Sequence, residues 1–283
     1  MIVLAVVSAV MGAASNAVGT AFQRKAASTV ARGGGLGLLT ALVHRPAWLI
    51  GILGVMGAAL FQALALVNGP MALVQPLFIL ELPFALLIAA PLLHRRLPVQ
   101  GWWAVAGVVT GLAMVLAAAA PTGSRNQASM ERWLPVLALS LGARAVVLAH
   151  PSRSALFRAA ALGSAAALGN ALTAALMKSA TGRLADGGLA AFLTTWQTYG
   201  FALVGIGAVL LLENALQAGP LAASQPALTI GDASASLLLG VALFGEEIRT
   251  GWWLLPEVAG ALLILWGVLR LTHVVPHLIK PGQ

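Results

Sequence analysis

Nine apolar runs, each about twenty residues long, follow one another along the chain with short polar breaks between them. A run of about 20 apolar residues crosses the hydrocarbon core of a bilayer as a helix. The runs cover roughly 2–24, 47–67, 71–93, 101–120, 133–149, 155–179, 196–217, 221–244 and 252–272. The expected fold class is therefore an all-α polytopic membrane protein with about nine transmembrane helices. Composition leaves little room for a soluble domain, since 60% of the residues are hydrophobic and 8% are charged.

The net charge of +8 raises nucleic acid as a partner. The basic residues lie in short loops, however, where the positive-inside bias puts them, so the lipid bilayer is the partner expected instead. There is no cysteine, and with it no disulfide framework or thiolate site. Arg outnumbers Lys thirteen to three and Ala is abundant, which points to a GC-rich bacterial genome and so to a plasma membrane. The stretch Met1 to Val10 lacks a basic leader segment and reads as part of the first span rather than a cleaved signal.

Counting Lys and Arg by side orients the chain. One side holds eleven: Arg24, Lys25, Arg32, Arg45, Arg95, Arg96, Arg144, Arg153, Arg158, Arg270 and Lys280. The other holds five: Arg125, Arg132, Lys178, Arg183 and Arg249. The richer side is expected in the cytoplasm, with the N-terminus outside and the C-terminus inside. Trp48, Trp102, Trp103, Trp133, Trp196, Trp252 and Trp253 stand at helix starts, the depth at which indole rings meet headgroups.

A short motif occurs twice. Gly69-Pro70-Met71-Ala72-Leu73-Val74-Gln75-Pro76 returns as Gly219-Pro220-Leu221-Ala222-Ala223-Ser224-Gln225-Pro226, and 219 − 69 is 150. Gly101-Trp102-Trp103 returns as Gly251-Trp252-Trp253 at the same offset, and Asn16-Ala17 as Asn170-Ala171 at 154. Such matches mark an internal duplication. Five spans separate equivalent helices, an odd number, so the repeats are expected to be inverted, the construction of many secondary transporters. The resulting organisation is four-plus-one-plus-four. Residues 1–120 form the first repeat and 121–154 a linker with the fifth helix. Residues 155–272 form the second repeat and 273–283 a cytoplasmic tail. Pro76 and Pro226, one turn inside their helices, each free a carbonyl and are expected to bend them. Ala13, Ala17 and Ala21, their counterparts Ala167, Ala171 and Ala175, and the glycines Gly51, Gly54, Gly57, Gly107 and Gly111 are small-residue stripes suited to close helix packing.

Charges inside spans are few. Glu81 lies near the middle of the third span and Asp232 near the middle of the eighth. A carboxylate at such depth costs about 2.5–3.5 kcal/mol on insertion scales and marks a pathway or proton site. Gln225, Thr229, Asp232 and Ser236 share one helix face, which must look at protein or a water-filled cavity rather than lipid. Gln75, Asn16 and Asn170 are further hydrogen-bonding candidates, with plain interhelical bonding as the competing role for the two Asn. No metal site is expected: His44, His94 and His150 are isolated, and Pro276 separates His273 from His277. No catalytic signature appears, so neither an enzyme nor a cofactor is expected.

Leu243-Phe244-Gly245-Glu246-Glu247, followed by the Gly-rich last span Gly260-Ala261-Leu262-Leu263-Ile264-Leu265-Trp266-Gly267, resembles the end of an EamA-like repeat of the drug/metabolite transporter superfamily. In the first half His94-Arg95-Arg96 stands where that pattern has Gly-Glu, and the nine-helix count is similar to the NIPA-type magnesium transporters. The resemblance implies a secondary transporter of a metabolite, amino acid or drug-like compound, working by alternating access and open to proton coupling. The alternatives are a Mg²⁺ permease and a non-transporting scaffold or lipid-binding subunit. A small-molecule or ion substrate is the implied partner, and a homodimer is left open.

Overall fold

The structure, a computed structural model, describes residues 1–28, 45–92, 97–123, 125–150, 154–219 and 221–279. Arg32, His44, His94, Arg95, Arg96, Arg153, Pro220 and Lys280 lie outside the described residues, as do the side chains of Arg24, His273 and His277.

The helices are α1 (Ile2–Ser28), α2 (Pro46–Asn68), α3 (Met71–Leu77), α4 (Glu81–Leu92), α5 (Val99–Ala119), α6 (Met130–Ala149), α7 (Ala155–Thr194), α8 (Trp196–Ala218), α9 (Leu221–Phe244) and α10 (Leu254–Ile279). A 3₁₀ turn, Phe78–Leu80, joins α3 to α4 in one span, and a second, Gly251–Trp253, leads into α10. Nine helical stretches among the described residues are long and apolar enough to cross a membrane. The fifth, Met130–Ala149, is one of them. The only β-pairing among the described residues is a bridge between Thr122 and Glu247.

The two halves pack alike. In the first, α1 lies along α2 and against α3 and α4; in the second, α7 lies along α8 and against α9; α5 and α10 pair across the halves. Gly69 abuts Ala5 near the start of α1, and Gly219 abuts Ala155 and Ala159 at the start of α7. Ala5 and Ala159 are themselves 154 apart, the offset of the two Asn. The Ala stripes form these contacts: Ala13, Ala17, Ala167, Ala171 and Ala175 are fully buried.

Glycine sets the closest approaches. A Cβ on Gly54 would sit 2.7 Å from the Gly19 backbone nitrogen and 2.9 Å from the Ser15 carbonyl oxygen. Backbone cannot swing aside, so Gly54→Ala is expected to force α1 off α2 at a cost of about 1–3 kcal/mol. Gly57, one turn along, is the internal control, because its Cβ would make ordinary contact with Ser15 Oγ at 3.6 Å. Gly57→Ala should be neutral, or stabilising by up to about 1 kcal/mol through helix propensity. Thermal unfolding of the detergent-solubilised variants checks the ranking; equal damage from both would refute it.

Four sequence expectations need correction. The sixth span does not end near 179: α7 runs on to Thr194, with a break at Gly188, whose φ of +69° suits glycine. Lys178 is consequently not a loop residue but a fully buried helical one. Arg144, counted with the cytoplasmic loops, is 91% buried within α6, its guanidinium beside Gly169 and Gly207 of α7 and α8. Trp133 is not at the headgroups: it is 1% exposed and packs edge-on against Trp196, ring centroids 5.3 Å apart. By contrast Trp102, Trp103, Trp252 and Trp253 are exposed, as interfacial rings should be.

Candidate functional site

Proline builds the centre of the site. Pro76 has no N–H to offer the carbonyl of Ala72, and two residues later the chain tightens into the 3₁₀ turn Phe78–Leu80. Glu81 follows that turn directly, its backbone N–H bonding back to the Phe78 carbonyl. Its side chain thereby meets α1. Asn16 Nδ2 donates to Glu81 Oε2 at 2.7 Å, and Thr20 Oγ1 donates to Oε1 at 3.3 Å. Asn16 and Thr20 are four residues apart on one face of α1, so a single helix addresses both carboxylate oxygens. Pro226 has a different outcome, because α9 runs through it as unbroken helix.

Glu81 and Asp232 line the same cavity, of about 270 Å³, at mid-span. Asn16, Gln75 and Asn170 line it as well, so five of the eight binding candidates come together. Among the described lining residues the ionisable ones are the two acids; the others are amide, hydroxyl and apolar groups, with the Phe78 ring among them. Gln75 is 4% exposed, and its Nε2 has no hydrogen-bond partner. Asp232 Oδ1 is likewise buried without one. Ser236 approaches Asp232 from the next turn of α9 without reaching full hydrogen-bond geometry.

Gln225, Thr229 and Ser236 are not part of the lining. The Thr229 hydroxyl donates to the Gln225 carbonyl at 2.9 Å and is satisfied within its own helix. A face from Gln225 to Ser236 extends about 16 Å along a helix, and only Asp232 is at the cavity's depth. Much of the polar lining comes from α1, α2 and α7, through Asn16, Gln62, Asn170 and Thr173. Gln62, Thr173 and the Glu81 partner Thr20 were not singled out from sequence. Helical spacing was the available signal: Thr20 is four residues after Asn16, and Thr173 three after Asn170.

A second polar centre was also missed. Glu246, in the Gly-Glu motif that follows the eighth span, is 2% exposed. Gly245 ends α9 in the left-handed region at φ +61°, which turns the chain so that Glu246 points inward. Its carboxylate then accepts from the first two backbone N–H groups of α3, Met71 at 2.6 Å and Ala72 at 2.8 Å. Lys178 Nζ donates to Glu246 Oε1 at 2.8 Å and to the Gly69 carbonyl at 2.9 Å, and lies 4.9 Å from the Phe244 ring centroid. The Gly-Glu loop of the second half thus caps the Gly-Pro helix of the first. The linker closes over this end: Thr122 and Glu247 exchange backbone hydrogen bonds at 2.9 Å, and Arg249 N–H donates to the Ala119 carbonyl.

Among the described residues no three His, Cys, Asp or Glu side chains come together as a metal-ligand group.

Fold and cavity together define an α-helical multi-pass membrane protein with a polar, acidic cavity inside its apolar bundle. The chain is similar to an uncharacterized protein of Corynebacterium glutamicum, 27% identical over 270 residues that cover 93% of this chain and 92% of that one. No family model matches, and no solved structure matches.

Proposed function

We propose that the protein is a secondary transporter of a small solute in a bacterial plasma membrane, working by alternating access between two inverted halves. The observation that carries this reading is the mid-span cavity to which the first half contributes Glu81 and the second Asp232. Buried acids are costly in hydrocarbon and are retained where a substrate, ion or proton passes. Many transporters place the substrate site at the midplane between inverted repeats, and the resemblance to EamA-like repeats supports the same class. A Mg²⁺ permease is the second reading. It is favoured by two carboxylates at one cavity, because Mg²⁺ keeps several waters and binds through one or two carboxylates.

The test is a thermal-shift panel of metabolites and divalent ions on the purified protein, followed by uptake into proteoliposomes. A ligand at a hundred times its Kd stabilises by about 2.7 kcal/mol. If no solute or ion shifts the midpoint and none is carried, the transport reading falls and a membrane scaffold replaces it.

Orientation has its own test. With Lys178 withdrawn from the sparse side and Arg144 from the rich side, the Lys and Arg bias becomes ten to four, that is, eleven less one and five less one. The C-terminus is therefore assigned to the cytoplasm. A reporter fused after Gln283 is expected to be active only there, and activity on the outer face would reverse the assignment.

A further inference from the structure

We infer that Lys178 and Glu246 form a clamp that closes one end of the cavity, and that it must let go of the first half for a solute to pass at that end. The inference rests on the transport reading for its purpose, and on burial and hydrogen bonding for its geometry.

The end concerned is the one where α2 gives way to α3. Within about one turn of a lining residue, five wall helices each present a fully buried side chain: Ala13 on α1 beyond Asn16, Leu66 on α2 beyond Gln62, Met71 on α3 beyond Gln75, Lys178 on α7 beyond Met177 and Ser236 on α9 beyond Asp232. All five lie toward the same end. Gly69 abuts Ala5 of α1, Lys178 reaches the Gly69 carbonyl, and Glu246, just past α9, reaches the Met71 N–H. The cavity is therefore roofed there by packed protein.

Three hydrogen bonds tie this roof across the halves. Glu246 accepts from the Met71 and Ala72 N–H groups, and Lys178 Nζ donates to the Gly69 carbonyl. Both grips come from the second half, and all three partners lie in one short turn of the first, residues 69–72. The Lys178–Glu246 bond itself, at 2.8 Å, lies within the second half. The clamp can thus release the turn without parting its own charges.

The choice of ions fits a closure that opens. Leu66, Leu243 and Phe244 surround the pair and are fully buried. In such a setting an apolar plug of the same shape is often as stable as an ion pair or more so. The difference appears on opening. Water then solvates two charges and three backbone groups, whereas an opened apolar plug exposes only hydrocarbon. The closed and open states are thereby brought close in free energy, as a two-state gate requires. At the positions related by the duplication, 178 − 154 = 24 and 246 − 150 = 96, the sequence has Arg24 and Arg96. Two cations cannot make this pair, so the clamp belongs to one end.

The experiment is thiol accessibility in the full-length protein in proteoliposomes. The chain has no cysteine, so single cysteines report without background. Ala58→Cys, in the cavity lining, is labelled with a membrane-impermeant methanethiosulfonate added on the clamp side. Ser129→Cys, exposed before α6 and close to the Arg132 bond with the Leu243 carbonyl, identifies that side and sets the unobstructed rate. Two variants open the clamp. A Cβ on Gly240 would collide with Glu246 Oε2, the movable end of a side chain, so Gly240→Ala displaces the carboxylate from α3 and keeps both charges. Lys178→Met with Glu246→Leu removes all three bonds and leaves the net charge unchanged. Each is expected to speed Ala58→Cys labelling by at least about tenfold, the effect of losing a charge-assisted hydrogen bond in the closed state alone. Melting midpoints report folding, and Gly240→Ala carries the test alone if the double variant does not fold. Ala58→Cys reacting as fast as Ser129→Cys in the otherwise unaltered chain, or a rate that Gly240→Ala leaves unchanged, overturns the inference. If the variants speed labelling but no solute or ion is carried, the transport reading fails and the clamp stands as a closure of the bundle. If a solute is carried and labelling ignores the variants, the clamp fails and the transport reading stands.

Discussion

Lys178→Met is expected to destabilise the protein by about 3–5 kcal/mol, the cost of removing one member of a buried ion pair. Both side chains of the Lys178–Glu246 pair are 0% exposed, so solvent cannot screen the charge left behind. The substitution also orphans the Gly69 carbonyl, which accepts from Lys178 Nζ. Replacing both partners by apolar residues often restores stability at a buried pair, but here the rescue should be incomplete. Glu246 does a second job, receiving the Met71 and Ala72 N–H groups. A Lys178→Met, Glu246→Leu double variant relieves the stranded charge and exposes that missing cap, worth about 0.5–2 kcal/mol. Glu246→Gln, which keeps a carbonyl oxygen for the cap, should therefore be milder than Glu246→Leu in a Lys178→Met background. Unfolding midpoints of the solubilised variants decide the matter. A Lys178→Met protein within about 1 kcal/mol of the parent would mean that the pair contributes nothing net.

The contrast between this pair and the cavity explains what the sequence made legible. Spans are set by length and hydropathy, both of which are local, and each expected run is a helix with bounds shifted by a few residues, α7 excepted. Glu81 and Asp232 stood out because an acid deep in an apolar run has no local explanation. Asn16 and Asn170 stood out because they recur at the duplication offset. Lys178 and Glu246 looked ordinary, since each is near the end of an apolar run, where charge is commonplace. Their burial depends on a partner 68 positions away, and on a glycine at positive φ that turns Glu246 inward. The polar stripe on α9 misled in the opposite sense. Thr229 satisfies itself on the carbonyl four residues earlier, an option that periodicity alone does not reveal. Trp133 shows the same limit: its position at a helix start matches an interfacial ring, yet the contact with Trp196, sixty-three residues on (196 − 133), draws it inside.

On the proposed transport reading, uptake is expected to fail in Asp232→Asn and to weaken only partly in Glu81→Gln, and the geometry around the two acids says why they differ. Glu81 already has both oxygens engaged by α1, through Asn16 and Thr20. It ties α1 to α4. Asp232 carries the unmet acceptor, Oδ1, and on that reading is the group left for direct contact with a substrate or proton. Loss of a hydrogen bond to a charged group corresponds to about tenfold or more in affinity, so Asp232→Asn should lower uptake at subsaturating substrate by at least that factor. Glu81→Gln replaces one oxygen with a donor that faces either Asn16 Nδ2 or the Thr20 hydroxyl. The hydroxyl can turn to accept, so the contact survives in altered form and uptake should drop by severalfold. Ser234→Leu, at an exposed position on α9, is the packing control and should transport normally. Measuring uptake together with the melting midpoint separates a lost site from a lost fold. Undiminished uptake by the Asp232→Asn, Glu81→Gln double variant would mean that the pathway runs elsewhere through the bundle. A Glu81→Gln defect deeper than that of Asp232→Asn would instead make the α1–α4 tie, rather than the free carboxylate oxygen, the element on which transport depends.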